Sequence, residues 1–159
     1  MQDRKPVVSV IMPSLNVVKY IDECIQSVLN QSLKEIEIIC VDAGSTDGTY
    51  ERLKEYETND SRVRVIPSDK RSYGYQVNLG IKESNAKYIG IVETDDYVDE
   101  NMFDILYNHA EDNNLDFVKA DFTFLYDFDG YYLYKPAKLF DEDTNKFYNK
   151  VIQPLDCTY

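Results

Sequence analysis

Short apolar runs alternate with helix-period segments along the first part of the chain. Residues 7–12 and 36–41 are nearly continuous in Val and Ile, which is typical of strands that are covered on both faces. Shorter runs at residues 62–66 and 87–92 predict a third and a fourth strand. Because strands and helices alternate over residues 1–115, the pattern predicts βα units on an open, mainly parallel sheet flanked by helices.

Four helices are predicted from apolar residues that recur on one face. Their predicted ranges are residues 17–30, 49–57, 74–84 and 99–113. Ser45 or Thr46 is placed to cap the second helix, and Asp99 is placed to cap the fourth. Gly80 lies inside the third helix, where it costs about 1 kcal/mol relative to Ala, and this suggests close packing or approach of a ligand.

The character of the chain changes after residue 115. Residues 117–126 and 131–134 are aromatic and prone to form strands, and an Asp-Gly pair lies between them. Such a pair between two strand-like runs predicts a β-hairpin. Residues 138–159 carry no clear pattern. We therefore predict a single α/β domain over residues 1–159, with βα units in 1–115 and a hairpin-rich part in 116–159.

Polar residues follow three of the predicted strands. Pro13, Ser14 and Asn16 end the first strand, Asp42 ends the second, and residues 93–96 end the fourth. In an open parallel sheet, ligands bind beyond the carboxyl ends of the strands, where the strand order reverses. If the order is 3-2-1-4, the reversal lies between the first and fourth strands, and the three polar ends converge on one cleft.

The acidic turn at residues 93–96 is a candidate metal site. Glu93, Asp95 and Asp96 repel one another, which raises the pKa of some of these carboxyl groups. A divalent cation removes that cost, and Mg²⁺ or Mn²⁺ prefers oxygen ligands while leaving positions for water and phosphate. The alternative is a solvated turn in which Asp99 is a plain helix cap.

Other candidate residues have equally simple alternatives. Asp42 could accept a hydrogen bond from a nucleobase, or it could close its own loop as an Asx-turn. Asn16 could line a ligand or cap the first helix. Lys70 and Arg71, in the loop after the third strand, could meet a base or a phosphate, or form a solvated surface pair.

Charge and cysteine content narrow the function classes. The chain has 17 basic and 29 acidic residues and a formal net charge of -12, which argues against nucleic acid as a partner. A phosphorylated ligand, which is also negative, then needs local positive charge to bind, and a divalent cation supplies it. Three cysteines without a close pair favour a reducing compartment. We expect no membrane span in this segment and a cytoplasmic location, including a peripheral position at the inner face of the membrane.

Five blocks of sequence, in order, resemble the family 2 glycosyltransferases, which have the GT-A fold. The blocks are VSVIMPSLN at 8–16, YIDECIQSVLNQS at 20–32, IEIICVDAGSTDGT at 36–49, NLG at 78–80 and AKYIGIVETDDYV at 86–98. The resemblance covers residues 7–126. It implies an inverting, metal-dependent transfer from a nucleotide-diphosphate sugar, commonly a UDP-sugar, to an acceptor hydroxyl on a saccharide, a lipid-linked molecule or a protein. Polysaccharide biosynthesis is the process that it suggests.

The same resemblance implies roles for individual residues. Asp42 would face the nucleobase, and Pro13, Ser14, Asn16 and Asn78 would lie along the nucleotide. Residues 93–96 correspond to the D-x-D element, with Glu93 and Asp95 on the nucleotide-diphosphate and with Asp95 and Asp96 on Mg²⁺ or Mn²⁺.

Three positions depart from the family pattern. Glu93 replaces a frequent Asp, Ala43 replaces a polar residue, and Gln76 with Val77 replaces Ala-Arg. One common cation is therefore missing, and Lys70 or Arg71 would have to substitute for it.

The catalytic base cannot be assigned from this sequence. The family uses a carboxylate that comes later in the domain, and no residue here matches it, so we expect a domain truncated at its C-terminus.

One alternative is a nucleotide-sugar-binding domain without turnover, because it lacks the base. A sugar-1-phosphate nucleotidyltransferase would need a Gly-rich basic loop after the first strand, which residues 13–16 do not provide. A non-enzymatic interaction domain is the remaining alternative.

Overall fold

A computed structural model describes residues 5–128 and 131–137. The strands are β1 (Val8–Ser14), β2 (Ile36–Asp42), β3 (Val63–Pro67), β4 (Tyr88–Ile91), β5 (Phe122–Phe128) and β6 (Tyr131–Ala137). The helices are α1 (Ile21–Leu29), α2 (Thr49–Asn59), α3 (Tyr73–Glu83) and α4 (Met102–Asn113). The chain divides into two compact units, Met1–Tyr107 and Asn108–Tyr159. This division falls inside α4, whereas the sequence changes character after residue 115. The single-domain assignment stays a prediction.

The first unit contains a four-stranded parallel sheet in the order β3-β2-β1-β4, so the condition on which the predicted cleft depended is met. All seven residues of β1 are buried, as expected for a central strand that is covered on both faces. The order reverses between β1 and β4, because β2 and β3 extend to one side of β1 and β4 pairs on its other side.

Helices cover both faces of this sheet. On one face, α1, α2 and the start of α4 enclose the larger apolar cluster, which includes Val10, Ile25, Ile38 and Leu53. On the other face, α3 packs on a smaller cluster. A Cβ atom on Gly80 would lie 2.5 Å from Cγ2 of Ile11, so close packing explains this glycine.

Two cysteines lie inside the larger cluster. Cys24 of α1 and Cys40 of β2 are buried free thiols. Burial, together with the negative charges of nearby carboxylates, Asp96 and Asp95 first among them, raises the pKa of Cys24 to about 12. Burial also raises the pKa of Cys40. Both thiols are therefore neutral and behave as small apolar side chains.

Several predicted boundaries are wrong by a few residues for identifiable reasons. Helix α1 begins at Ile21 rather than at residue 17, because residues 17 and 18 are held in the preceding loop: their N–H groups bond to the side chains of Thr49, the first residue of α2, and of Asp47. The N-cap of α2 is Gly48, with a φ of 101°, and not Ser45 or Thr46.

Strand β1 also continues one residue past Pro13. The carbonyl of Pro13 faces the β4 side of β1, where it accepts a hydrogen bond from Thr94. The proline nitrogen faces the same side, and β4 has already ended at Ile91. The missing N–H therefore falls where the β1–β4 ladder ends, which makes the proline compatible with the strand.

The second unit contains an antiparallel hairpin of β5 and β6, in which Phe128 pairs with Tyr131. The predicted hairpin is therefore confirmed, although β5 begins at Phe122 rather than at residue 117. The predicted turn residues 129–130 and the unassigned residues 138–159 lie outside the described residues. In the described ranges, no helix is both long enough and apolar enough to cross a bilayer.

Candidate functional site

The carboxyl ends of β1, β2 and β4 lie at one edge of the sheet. Ser14 pairs in register with Asp42, which places the ends of β1 and β2 side by side. The hydroxyl of Thr94 donates a buried 2.9 Å hydrogen bond to the backbone O of Pro13, which ties residues 93–96 to the end of β1. The three polar strand ends that the sequence indicated are thus brought together.

Hydrogen bonds to the backbone hold the acidic turn, while the carboxylates of Asp95 and Asp96 stay in solvent. The backbone O of Glu93 accepts hydrogen bonds from the N–H of Asp96 at 3.0 Å and from Sγ of Cys24 at 3.3 Å. Asp95 and Asp96 are exposed. Partial desolvation of its carboxyl group raises the pKa of Asp96, and the negative charge of Asp95 raises it further. Like charges are therefore held together at a fixed turn.

The side chain of Glu93 reaches across to the start of α3. The Tyr73 hydroxyl donates a 2.5 Å hydrogen bond to Oε1 of Glu93, and this bond is the main reason that the pKa of Tyr73 is raised to about 12. Tyr73 was not among the candidate residues that the sequence indicated. One acidic group of the turn is thereby tied to α3, and its second oxygen remains for a ligand.

The chemistry of Asp95 and Asp96 fits Mg²⁺ or Mn²⁺ bound together with a diphosphate. Within residues 5–128 and 131–137, no three His, Cys, Asp or Glu side chains are grouped so that they could hold a metal by themselves. Mg²⁺ commonly takes one or two carboxylates and completes its shell with water and substrate phosphates. Two adjacent exposed carboxylates, one with a raised pKa, are compatible with that mode of binding, and a cation would relieve their repulsion.

The carboxylate of Asp42 closes its own loop. Its Oδ1 accepts 2.9 Å hydrogen bonds from the N–H groups of Gly44 and Ser45, and its Oδ2 accepts a 2.5 Å bond from the Ser45 hydroxyl. The residue is 2% exposed. This arrangement is the Asx-turn alternative. Contact with a nucleobase would require the Ser45 hydroxyl to give up its place.

Asn16 joins the loop after β1 to the loop after β2. Its N–H donates to Oγ of Ser45 at 2.9 Å, and its Oδ1 accepts from the N–H of Thr46 at 2.8 Å. Asn16 has a φ of 55°, in the left-handed region that Asn tolerates. It does not cap α1, which begins at Ile21. The two loops that the nucleotide would contact therefore form one hydrogen-bonded unit, defined here as the paired loops (residues 14–18 and 42–49).

Pro13 and Ser14 are buried, and the Ser14 hydroxyl bonds to the backbone O of Met12. Their side chains support the edge of the sheet from inside and are not presented on its surface. Asn78 is exposed on α3, two residues from Gln76 and therefore on a different side of the helix.

The two candidate cations have different positions. Arg71 Nη2 donates to the backbone O of Gly44 at 3.1 Å, which places this guanidinium beside the paired loops. Lys70 Nζ lies 4.5 Å from the centroid of the Tyr75 ring. Of the two, Arg71 is the one that the structure brings to the loop of Asp42.

Gln76 is a further residue whose role the sequence did not reveal. It is 4% exposed, and its Nε2 donates to the backbone O atoms of Ser14 and Val41. In the sequence, this position stands out only as a departure from the family pattern. The available signal was its position on the buried face of α3, beside Val77 and one turn before Gly80.

This arrangement agrees with what comparison with known proteins finds. A family model described as "Glycosyl transferase family 2" matches residues 9–158. The chain belongs to glycosyltransferase family 2. The family indicated by the five sequence blocks is thereby confirmed.

Curated members of the family share much of the sequence. EpsJ of Bacillus subtilis (strain 168), described as an uncharacterized glycosyltransferase, is 44% identical over 117 residues, which are 74% of this chain and 34% of EpsJ. Glycosyltransferase GlyG of Streptococcus pneumoniae serotype 4 is 37% identical over 129 residues, which are 80% of this chain and 43% of GlyG. The chain thus spans less than half the length of either relative.

A solved structure shares the architecture of the sheet and its helices. S. aureus TarS 1–349 in complex with UDP-GlcNAc is 25% identical, with a TM-score of 0.62, over 68% of this chain and 32% of that chain. Together with the parallel β3-β2-β1-β4 sheet, this neighbour confirms the predicted GT-A fold.

Proposed function

We propose that this chain binds the donor of an inverting glycosyltransferase, a nucleotide-diphosphate sugar of the UDP type, together with Mg²⁺ or Mn²⁺. The observation that carries the proposal is the exposed Asp95–Asp96 pair, held by Thr94 at the end of β1 beside Asp42. Family membership and the complex of TarS with UDP-GlcNAc support the same assignment.

In the proposed reaction, an acceptor hydroxyl attacks the anomeric carbon from the face opposite the diphosphate. A bond forms between the acceptor oxygen and that carbon, and the bond from carbon to the diphosphate oxygen breaks with its electron pair on the diphosphate. The metal supplies positive charge against the departing diphosphate. The acceptor proton passes to a general base, and none of the described residues is assigned that role. Asp95 and Asp96 would hold the metal, which would bind the diphosphate end of the donor, and the paired loops would hold the nucleoside.

Titration with UDP tests the binding part of this proposal. We expect UDP with Mn²⁺ to raise the unfolding temperature, with about 2.7 kcal/mol of stabilisation at a concentration 100 times Kd. Asp95→Asn and Asp96→Asn should each remove the part of UDP binding that depends on Mn²⁺. Glu83→Gln is the matched control: it removes one negative charge from a half-exposed carboxylate at the C-terminal end of α3. If Mn²⁺ made no difference to UDP affinity in the wild type, the metal assignment would be wrong.

Turnover is measured separately from binding. Hydrolysis or transfer of a UDP-sugar by the chain would support the complete enzyme. UDP binding without either reaction would favour the alternative, a donor-binding domain without turnover. A melting temperature that no nucleotide diphosphate changes, with or without Mn²⁺, would contradict both and favour a non-enzymatic interaction domain.

A further inference from the structure

The side-chain amide of Gln76 joins the ends of β1 and β2. Its Nε2 donates to the backbone O of Ser14 at 2.9 Å and to the backbone O of Val41 at 2.6 Å. Both hydrogens of the amide nitrogen are used, and the side chain is buried at 4% exposure. An apolar side chain of the same length would remove this donor from both carbonyls. The Ser14 carbonyl would keep the 3.0 Å hydrogen bond from the Ala43 N–H, so the cost is the loss of two buried hydrogen bonds that join α3 to the strand ends.

The helix that carries Gln76 is held close to the sheet. Gly80 lies one turn later on the same side of α3, and a Cβ atom there would be 2.5 Å from Cγ2 of Ile11. This close approach fixes the height of α3 above β1. The amide of Gln76 therefore has little freedom to move away from the two carbonyls.

The two carbonyls lie where the paired loops begin: Ser14 is the first residue of one loop, and Val41 immediately precedes the other. Ser14 leads into Asn16, and Val41 precedes Asp42. Farther out, the loops hold each other through Asn16, which bonds to Ser45 and to Thr46. Gln76 thus fixes the base of a unit whose outer part is closed by Asn16.

We propose that Gln76 is a positioning residue for the nucleotide: it sets the spacing of the paired loops, so that UDP affinity depends on it although it does not touch the ligand. This inference rests on the proposed function. The proposed function gives Gln76 no role. Here UDP binding depends on the buried Gln76 amide, which lies on α3 and outside the paired loops.

Gln31 provides a matched comparison within the same chain. It is fully buried, and its Nε2 also donates to two backbone carbonyls, those of Ser27 at 3.1 Å and Asp99 at 2.6 Å. Its Oε1 accepts from the N–H of Phe103 at 3.0 Å. Gln31 therefore anchors the start of α4 by the same chemistry, without contacting the paired loops. Gln76→Met and Gln31→Met each remove one buried amide of this kind.

The experiment compares UDP affinity, with Mn²⁺ present, at a temperature well below the unfolding midpoint of each variant. We expect Gln76→Met to weaken UDP binding by about tenfold and Gln31→Met to leave Kd within about twofold of the wild type. Hydrogen exchange gives a second readout without ligand: the Asn16 and Thr46 amides should exchange faster in Gln76→Met and at the wild-type rate in Gln31→Met. Where Gln76→Met does not fold, Gln76→Asn, which keeps the amide on a side chain shorter by one methylene, replaces it under the same criteria.

The outcomes separate this inference from the proposed function. Wild-type binding of UDP with an unchanged Kd in Gln76→Met would overturn the positioning role and leave the proposed function standing. If the wild type did not bind UDP, the proposed function would fail, and the exchange rates of Asn16 and Thr46 alone would decide whether Gln76 holds the loops. An equal loss of affinity in Gln31→Met would assign the effect to general destabilisation and overturn the inference.

Discussion

The hydroxyl of Thr94 bonds to the backbone oxygen of Pro13 at 2.9 Å, beyond the point where β4 has stopped pairing with β1. Strand β4 ends at Ile91, and the N–H of Val92 donates to the backbone O of Ile11 at 3.0 Å. After that bond, the Thr94 side chain takes over the connection between the two strand ends. The Thr94 hydroxyl, which the sequence did not mark as functional, therefore helps to position Asp95 and Asp96, together with the bonds from Cys24 and Tyr73 to Glu93.

Replacing that hydroxyl should weaken the acidic turn. Thr94→Val keeps the shape of the side chain but removes the donor, and the Pro13 carbonyl loses this bond. We expect a loss of about 1–2 kcal/mol in the free energy of unfolding and weaker UDP binding in the presence of Mn²⁺. Urea denaturation and calorimetric titration measure the two effects. Thr94→Ser, which retains the hydroxyl, should stay near the wild type in both; equal stability of Thr94→Val and Thr94→Ser would contradict the role of the bond.

Two substitutions of Asp42 separate its loop-closing role from contact with a base. Asp42→Asn can still accept from the N–H groups of Gly44 and Ser45 through Oδ1 but loses the Oδ2 acceptor of the Ser45 hydroxyl, so it should cost about 1 kcal/mol. Asp42→Ala removes all of these acceptors and should cost about 1–3 kcal/mol, more than Asp42→Asn. If Asp42 also contacts the base, Asp42→Asn should weaken UDP binding at least as much, relative to its loss of stability, as the more destabilised Asp42→Ala. Unchanged UDP affinity in Asp42→Asn would leave this residue a loop-closing role alone.

The two glycines of α3 should respond with opposite sign to alanine. At Gly80, a Cβ atom would lie 2.5 Å from Ile11 Cγ2, whereas at Gly74 it would meet nothing within 4 Å. We expect Gly80→Ala to destabilise the protein by about 1–3 kcal/mol through overpacking. Gly74→Ala should stabilise it by up to about 1 kcal/mol through helix propensity. Thermal unfolding of both variants measures the contrast, and a stabilised Gly80→Ala would show that α3 does not pack on Ile11 as described.

Acid should destabilise the protein in part through Glu37, at the amino end of the sheet. Burial opposes ionisation of this carboxyl group, but hydrogen bonds from the Ser9 hydroxyl and the Asn85 N–H, each 2.6 Å long, leave its pKa below the ordinary value of 4.5. A carboxyl group with a lowered folded-state pKa contributes stability above its unfolded pKa and loses it as the pH falls through the folded pKa. The contribution of Glu37 should therefore be complete above pH 4.5 and decline below it.

Urea denaturation at a series of pH values tests this expectation with Glu37→Gln beside the wild type. The variant should be less stable at neutral pH, and the difference between the two proteins should shrink as the pH falls below 4.5. Other carboxylates titrate in both proteins and cancel in the comparison. A difference that stayed constant down to pH 3 would show that ionisation of Glu37 does not contribute.

The sequence predicted the parallel sheet and, on the condition of a 3-2-1-4 order, the edge at which the polar strand ends meet. These features follow from apolar periodicity and from the rule that places ligand sites at the strand-order reversal. The buried runs around Val10 and Ile38 specify which strands are central, and the polar residues after them specify the ends. Patterns of this kind need no knowledge of which side chains touch.

Partners of buried polar side chains could not be predicted in the same way. Gln76 and Gln31 each satisfy backbone groups on other elements, and periodicity indicates that they are buried without indicating what they bond. The hydrogen bond between Glu93 and Tyr73 depends on the one methylene by which Glu is longer than Asp and on the orientation of α3. The difference between an Asx-turn and a base contact at Asp42 depends on where Ser45 directs its hydroxyl. Such details require coordinates because they are set by tertiary contacts.

The buried thiols of Cys24 and Cys40 make the interior of the sheet chemically addressable. A neutral, enclosed sulfur reacts slowly with alkylating reagents, so each becomes available only when the layer around it opens. Because the chain contains no Trp, its unfolding lacks the usual fluorescent reporter. In a Cys157→Ser background, the rate of alkylation at these two positions would report how often the α1 and β2 layers open. A bound ligand that slows this opening would slow the labelling.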